Sequence, residues 1–270
     1  MKDYNKLRGG YYTPQEISEF ITKWAISDTS ESVLEPSCGD GSFIKALTYC
    51  YKKLGATDEQ IKSNVLGIEQ DEIEAEKASL CGATITCDDF FNYYQNNIDG
   101  RTEFDVIVGN PPYIRYGDFK EDYRKIAFDL MKKHGFKPNR LTNIWIPFLV
   151  LSCKALKPTG RIGMVLPADL FYVDYAAETR EFLNHFFDRL TIITFKRLVF
   201  DDIQQDVVLL LGERECKERG VRLIELNDLA DLTARGMECL DNAELIDPCN
   251  QWMEYYLTSR EIDLLKRLDW

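Results

Sequence analysis

Histidine is nearly absent from this chain: its 270 residues contain two, His134 and His185, far apart in sequence. Eight cysteines are present, but none is set in a C-x-x-C pair. Zinc sites draw on closely spaced Cys and His, so the pattern points away from zinc. Scattered thiols fit a reducing compartment, and the expectation is a cytoplasmic protein without a metal. No apolar run approaches the roughly 20 residues of a membrane span. No signal-like segment precedes Arg8. Repeats and low-complexity linkers are also missing. Positive charge is in deficit: Lys and Arg number 33 against 45 Asp and Glu, a net charge of −12. Such a balance repels a polyanion at long range. The length exceeds one average domain, yet one α/β sheet with helices on both faces accounts for nearly all of it.

The apolar run Phe104-Asp105-Val106-Ile107-Val108-Gly109 is followed at once by Asn110-Pro111-Pro112-Tyr113. The run has the length and composition of a central strand. Two prolines end it, because neither donates to a ladder, and they stiffen the turn. An amide, a prolyl carbonyl and an aromatic ring are thereby placed where open α/β sheets bind ligands.

Upstream, Ser32 to Phe43 reads as strand, glycine-rich turn and helix, with Glu35, Cys38, Gly39 and Gly41 at the turn. The glycines permit close backbone approach. The spacing is neither G-x-G-x-x-G nor G-K-[ST], which argues against a dinucleotide or triphosphate. A second strand, Asn64 to Glu69, ends in an acid suited to ribose hydroxyls. A third, Ala83 to Cys87, leads to Asp89, placed for an adenine amino group, and Phe90, placed to cover an adenine face. Ahead of them all, Arg8-Gly9-Gly10-Tyr11-Tyr12-Thr13-Pro14 precedes an amphipathic helix carrying Ile17, Phe20, Ile21 and Trp24 on one face. Thr13 reads as its N-cap and Pro14 as its first residue.

The Asn-Pro-Pro-Tyr turn resembles the catalytic motif of S-adenosylmethionine-dependent methyltransferases acting on planar amino or amide nitrogens. With the Gly-x-Tyr-x-Thr-Pro segment one helix before the glycine turn, the chain resembles the γ-class adenine-N6 DNA methyltransferases of type IIG and related restriction-modification systems. The resemblance covers roughly residues 8–215. It extends through a helix and strand over Trp145–Pro167, a helical stretch over Ala168–Phe187 containing Arg180-Glu181-Phe182-Leu183, and the segment Leu198–Leu211. It implies a Rossmann-like fold with a mostly parallel seven-stranded sheet, and S-adenosylmethionine as cofactor. The cofactor set is then Tyr12, Thr13, Pro14, Glu35, Cys38, Gly39, Gly41, Glu69, Asp89 and Phe90, with Cys38 no nucleophile. The catalytic set is Asn110, Pro111, Pro112 and Tyr113. Asn110 and the Pro111 carbonyl would hold the two N–H bonds of an aromatic amine, a poor nucleophile whose lone pair is delocalised. Tyr113 would stack on the ring. Phe200 is either a second ring against a base rotated out of DNA or a core residue before a strand.

Between Ile114 and Arg140, eight basic residues (Arg115, Lys120, Arg124, Lys125, Lys132, Lys133, Lys137 and Arg140) meet four acidic ones. The stretch is either a solvated helical face or a strand-contacting loop beside the catalytic turn. Residues 1–250 are expected to form the catalytic domain. Residues 251–270 are expected to contain a helix from Thr258 to Leu268 that leads toward a target-recognition domain, with Thr258 and Glu261 as a capping box. With that domain absent, the expected partner is DNA engaged through a missing domain or separate subunit, and the isolated chain a monomer. Methyl transfer to RNA or to a protein glutamine remains open, as does a non-catalytic adaptor.

Overall fold

The computed structural model describes residues 12–114, 116–199, 206–248 and 252–255, without the side chains of residues 116, 253 and 254. In chain order the elements are helix α1 (Gln15–Ala25), β1 (Val33–Glu35), α2 (Ser42–Lys53), α3 (Asp58–Asn64), β2 (Val65–Glu69), α4 (Glu72–Ser79) and β3 (Thr84–Cys87). Next come α5 (Phe90–Tyr93), running into a π-helical turn Tyr94–Ile98, then β4 (Phe104–Gly109), α6 (Glu121–Lys133), α7 (Trp145–Ala155) and β5 (Leu156–Pro167). Last are α8 (Ala177–Phe186), β6 (Arg189–Phe195), β7 (Val207–Glu213), β8 (Gly220–Leu226), α9 (Leu229–Arg235), α10 (Glu238–Asp241) and β9 (Leu245–Ile246).

The strands form one nine-stranded sheet in the order β3-β2-β1-β4-β5-β7-β6-β8-β9. Strand β1 pairs in parallel with β2 on one side and β4 on the other, so the chain reverses its direction of winding there. A crevice at the carboxyl ends of two such strands is where open α/β sheets bind ligands. Strand β7 runs antiparallel between β5 and β6.

The sheet holds two strands more than expected, β6 and β9. Strand β6, Arg-Leu-Thr-Ile-Ile-Thr-Phe, follows α8 after two residues and inserts between β7 and β8, an inward apolar run with no turn signal ahead of it. Strand β9 is a two-residue edge pairing against β8, too short to leave a pattern. A second correction concerns Ala168–Phe187. Two short 3₁₀ turns, Ala168–Phe171 and Asp174–Ala176, precede α8 in place of one long helix. The Arg180 guanidinium donates to the Leu170 and Val173 carbonyls at 3.0 and 2.9 Å, satisfying carbonyls that a continuous helix would have paired itself.

Successive strand residues feed opposite core layers. Leu34, Ile107 and Met164 pack with α6, α7 and the π turn; Val33, Val106, Val108 and Val165 pack with α1, α2, α9 and α10. Helix α7 buries every residue but Lys154, as a helix covered on all sides must. No helix among the described residues is long and apolar enough to cross a membrane. The expected C-terminal helix and Phe200 lie outside the described residues.

Helix α1 lies directly on β5 because Gly163 has no side chain. A Cβ there would sit 2.5 Å from the Ile21 Cγ2 methyl, on a fully buried residue. Gly163→Ala is therefore expected to destabilise the fold by about 1–3 kcal/mol through overpacking. Urea unfolding should show a lower midpoint at unchanged slope; an unchanged midpoint would mean that α1 shifts without cost.

Candidate active site

At the carboxyl ends of β1 and β4 the two backbones come close. A Cβ on Gly109 would lie in ordinary contact with the Pro36 ring at 3.4 Å and Glu35 Cγ at 3.6 Å, and one pocket opens beside the two strand ends. Tyr12, Thr13, Glu35, Cys38, Gly39, Glu69, Asp89, Phe90, Asn110 and Pro112 all line it. Of the remaining expected site residues, Pro14, Gly41, Pro111 and Tyr113 lie outside its lining. Asp40, Gln70, Glu74, Asp88, Phe119 and Phe148 line it without having been singled out in the sequence. Phe148 was hidden inside α7, whose uniformly apolar sequence gives no sign of which residue faces a pocket.

The glycine turn works as its sequence suggests. Gly39 and Gly41 adopt φ of 52° and 91°. The Gly41 amide donates to the Cys38 carbonyl at 2.8 Å, and Cys38 in turn donates to Ile68 O at 2.9 Å. Gly41 acts behind the pocket: a Cβ there would meet the Ala78 Cα of α4 at 2.9 Å. Burial pushes the Cys38 thiol up, helped by the charges of Glu35 and Glu69, so it stays protonated and unreactive.

The acids are held in different ways. Glu69 accepts from the Gly39 amide at 2.9 Å and the Asp71 amide at 2.8 Å, while burial raises its carboxyl above the ordinary range. Asp89 caps α5, its Oδ1 accepting from the Phe91 and Asn92 amides at 2.9 and 3.2 Å. Glu35 is 2% exposed, and its Oε2 finds no partner among the described residues. Burial, then the charges of Glu69 and Asp40, raise its carboxyl well above the usual range. Phe90 is packed mostly into the core, stacked on Phe148 with ring centroids 5.0 Å apart.

Asn110 sits at the centre of a chain of hydrogen bonds. Its Nδ2 donates to Thr13 Oγ1 at 3.2 Å, and its Oδ1 accepts from the Tyr113 hydroxyl at 2.8 Å. That hydroxyl also lies 3.1 Å from the Val165 carbonyl at the end of β5. The partly buried Tyr113 ring packs against both core layers, and burial holds its phenol above the ordinary tyrosine range. Thr13 is not the helix cap its sequence suggested. Pro14 precedes the first turn of α1, no side chain caps that turn, and the Ile17 and Ser18 amides donate to the Pro14 carbonyl instead.

The basic stretch after the turn is partly neutralised. Lys132 pairs with Asp129 at 3.3 Å and Lys133 with Asp99 at 2.5 Å. Arg115 lies outside the described residues. The two histidines, distant in sequence, meet at a shallow pocket with Lys154, Glu178 and Glu181. No set of three ligands that could hold a metal is found among the described residues.

Residues 42–200 match the family described as Eco57I restriction-modification methylase. The chain belongs to this family. The Type II methyltransferase M.AccI of Acinetobacter calcoaceticus is 25% identical over 277 residues, covering 99% of this chain and 47% of that protein. M.HincII of Haemophilus influenzae is 24% identical, covering 88% and 43%. The chain thus spans about half the length of the curated relatives it matches. Among solved structures, DrdV in a DNA complex superposes with a TM-score of 0.72 at 16% identity, over 93% of this chain and 32% of that one. A class I S-adenosylmethionine-dependent methyltransferase, described as putative, from Listeria monocytogenes gives 0.63 at 17%, over 91% and 72%. The fold of this Eco57I-family chain is that of the S-adenosylmethionine-dependent methyltransferases, and the cofactor that goes with it is S-adenosylmethionine.

Desolvation lifts the Asp89 carboxyl to about 6, against the opposing pull of its two backbone hydrogen bonds. A folded-state value above the unfolded one means the folded chain keeps this proton longer as pH rises. Asp89 therefore lowers stability progressively between about pH 4 and 6. Asp89→Asn keeps the cap and removes the charge. Its stability relative to wild type should rise by on the order of 2 kcal/mol from pH 4 to pH 7. Denaturant titrations across that window check this, and a flat difference would show that Asp89 is not desolvated.

Proposed function

We propose that this chain transfers the methyl group of S-adenosylmethionine to N6 of adenine in DNA, on a base rotated out of the stack. The observation that carries the proposal is the Asn110 amide at the pocket wall, gripped on one side by Thr13 and on the other by Tyr113. Support comes from relatives named as Type II methyltransferases and from the likeness to DrdV, whose structure is a DNA complex.

The pocket suits the cofactor. Glu35 offers a buried carboxylate oxygen without a partner among the described residues, fitting an ammonium group, and the excess of acids around it suits a cation. Glu69 keeps acceptor capacity for ribose hydroxyls beyond its two backbone bonds, and Asp89 and Phe90 line the part assigned to adenine. Bound there, S-adenosylmethionine supplies an electrophilic methyl group on a positive sulfur.

The chain's own groups prepare the nucleophile. Each carbonyl oxygen has two lone pairs, so Asn110 Oδ1 can accept from an amine while it accepts from Tyr113. With the Pro111 carbonyl it holds both N–H bonds of the target amine and favours the pyramidal nitrogen whose lone pair can attack. Attack by that lone pair would take the methyl group from the sulfonium, leaving a neutral thioether, and the surplus proton on nitrogen would pass to solvent water, since neither acceptor is a base. The Tyr113 ring, fixed in tilt by its hydroxyl and by both core layers, offers a face for the target base. We assign sequence recognition to polypeptide outside these 270 residues, contiguous or in a separate subunit; the catalytic chain is taken as a monomer.

Asn110 acts where nitrogen changes geometry, so its contribution belongs to the transition state. Asn110→Ala should lower methylation by about 10²–10³-fold, the size associated with one preorganised hydrogen-bonding group. Affinity for S-adenosylhomocysteine, read by calorimetry, should stay near wild type. Mass spectrometry of digested DNA should show N6-methyladenine. Methyl groups on cytosine, on RNA or on a protein glutamine would replace the adenine reading, and a fully active Asn110→Ala would remove amine methylation altogether.

A further inference from the structure

We infer that the turn at residues 139–142 is a wedge that enters DNA beside the target base, Leu141 filling the base stack and Arg140 meeting a phosphate. This rests on the adenine reading above. Turn tips favour small and polar residues. Here the two central positions hold a cation and a large apolar side chain. Leu141 is 73% exposed. Arg140 is exposed too, and it forms no ion pair among the described residues.

One exposed leucine is ordinary on a protein surface. Leu141 differs in how it is held. The Thr142 amide donates to the Asn139 carbonyl at 3.0 Å and closes the turn. The Asn139 amide donates to Thr142 Oγ1 at 3.0 Å, and Asn139 Oδ1 accepts from the Leu141 amide at 2.8 Å. Both ends of the turn thus bind its own backbone, and Thr142 is buried. Leu141 stands on a stiff mount, so little backbone ordering remains to be done when it is covered.

The mount lies beside the catalytic turn. The Ile144 amide donates to the carbonyl of Ile114 at 3.2 Å, and Ile114 directly follows Tyr113. Leu141 is three residues before Ile144, a span of at most about 11 Å. Helix α7 runs straight into β5, which is parallel to β4, so its start lies at the carboxyl-end face that holds Asn110. Residues 137 to 143 contribute two cations, Lys137 and Arg140, and no acid, in a chain of net charge −12. That local reversal of sign suits a phosphate backbone. Rotating a base out of the stack costs unstacking energy. Apolar wedges inserted at base steps, with basic groups beside them, are how proteins hold DNA so deformed.

The test uses the full-length protein, with any recognition subunit, and two duplexes carrying its site. In one the target adenine is paired with thymine; in the other it faces an abasic position, where rotation costs little. Leu141→Ala should lower turnover on the paired duplex by about tenfold or more and leave the abasic duplex within about twofold of wild type. Leu141→Met, which keeps an apolar body, should retain most of the rate on both. Arg140→Gln should weaken duplex binding and make the salt dependence of log K shallower by about one unit. Wild-type turnover of Leu141→Ala on the paired duplex overturns the wedge. An equal loss on both duplexes overturns it as well, and would assign the turn to a contact with the recognition polypeptide. An unchanged salt slope in Arg140→Gln overturns the phosphate contact. Wild-type protein that methylates neither duplex would instead remove the adenine reading, and the wedge with it.

Discussion

The double pairing of β1, with β2 on one edge and β4 on the other, is the constraint on which the rest depends. It sends the chain outward in two directions and leaves a gap in the helical cover at the carboxyl ends. The acids and the amide of the pocket sit at successive strand ends, while Tyr12 and Thr13 reach it from the segment before α1. Glu35 ends β1, Glu69 ends β2, Asp89 follows β3, and Asn110 follows β4. The pocket needs no dedicated domain; it is the unfilled corner of a wound sheet.

Within that corner the electrostatics oppose an empty pocket. Glu35, Glu69 and Asp89 are all buried enough for desolvation to raise their carboxyls. A protein folding for stability alone would place apolar residues at such positions. The acids are kept where a cationic ligand with several donors would reward them. The same burial keeps the Cys38 thiol protonated and unreactive.

Much of this was legible in the sequence because it depends on strand ends and turn chemistry. The paired prolines mark the end of β4, and the glycines mark the turn at 39–41. The acids were findable by their places after apolar runs. Other features were not legible, for physical reasons. Strand β6 has no turn signal to separate it from α8, and β9 has no period at all. Phe148 is one apolar residue in a helix buried on all sides, where periodicity vanishes. Thr13-Pro14 has the local grammar of a helix start, yet a contact 97 residues away takes the hydroxyl for Asn110. Local propensity is overruled there by a tertiary partner that no window of sequence contains. Within the 114–140 stretch Lys133 pairs with Asp99, an acid outside the stretch that a local charge count does not include.

Tyr113 touches both layers of the core, on either side of the sheet. The ring is held in a vice with two independent jaws. Its tilt is thus a joint property of residues far apart in sequence, including the α7 side and the α1 side. Drift in the packing of either layer would be felt as a change in how a planar ring is presented. Substitutions deep in either layer therefore have a route to re-aiming the ring without altering the four-residue turn itself.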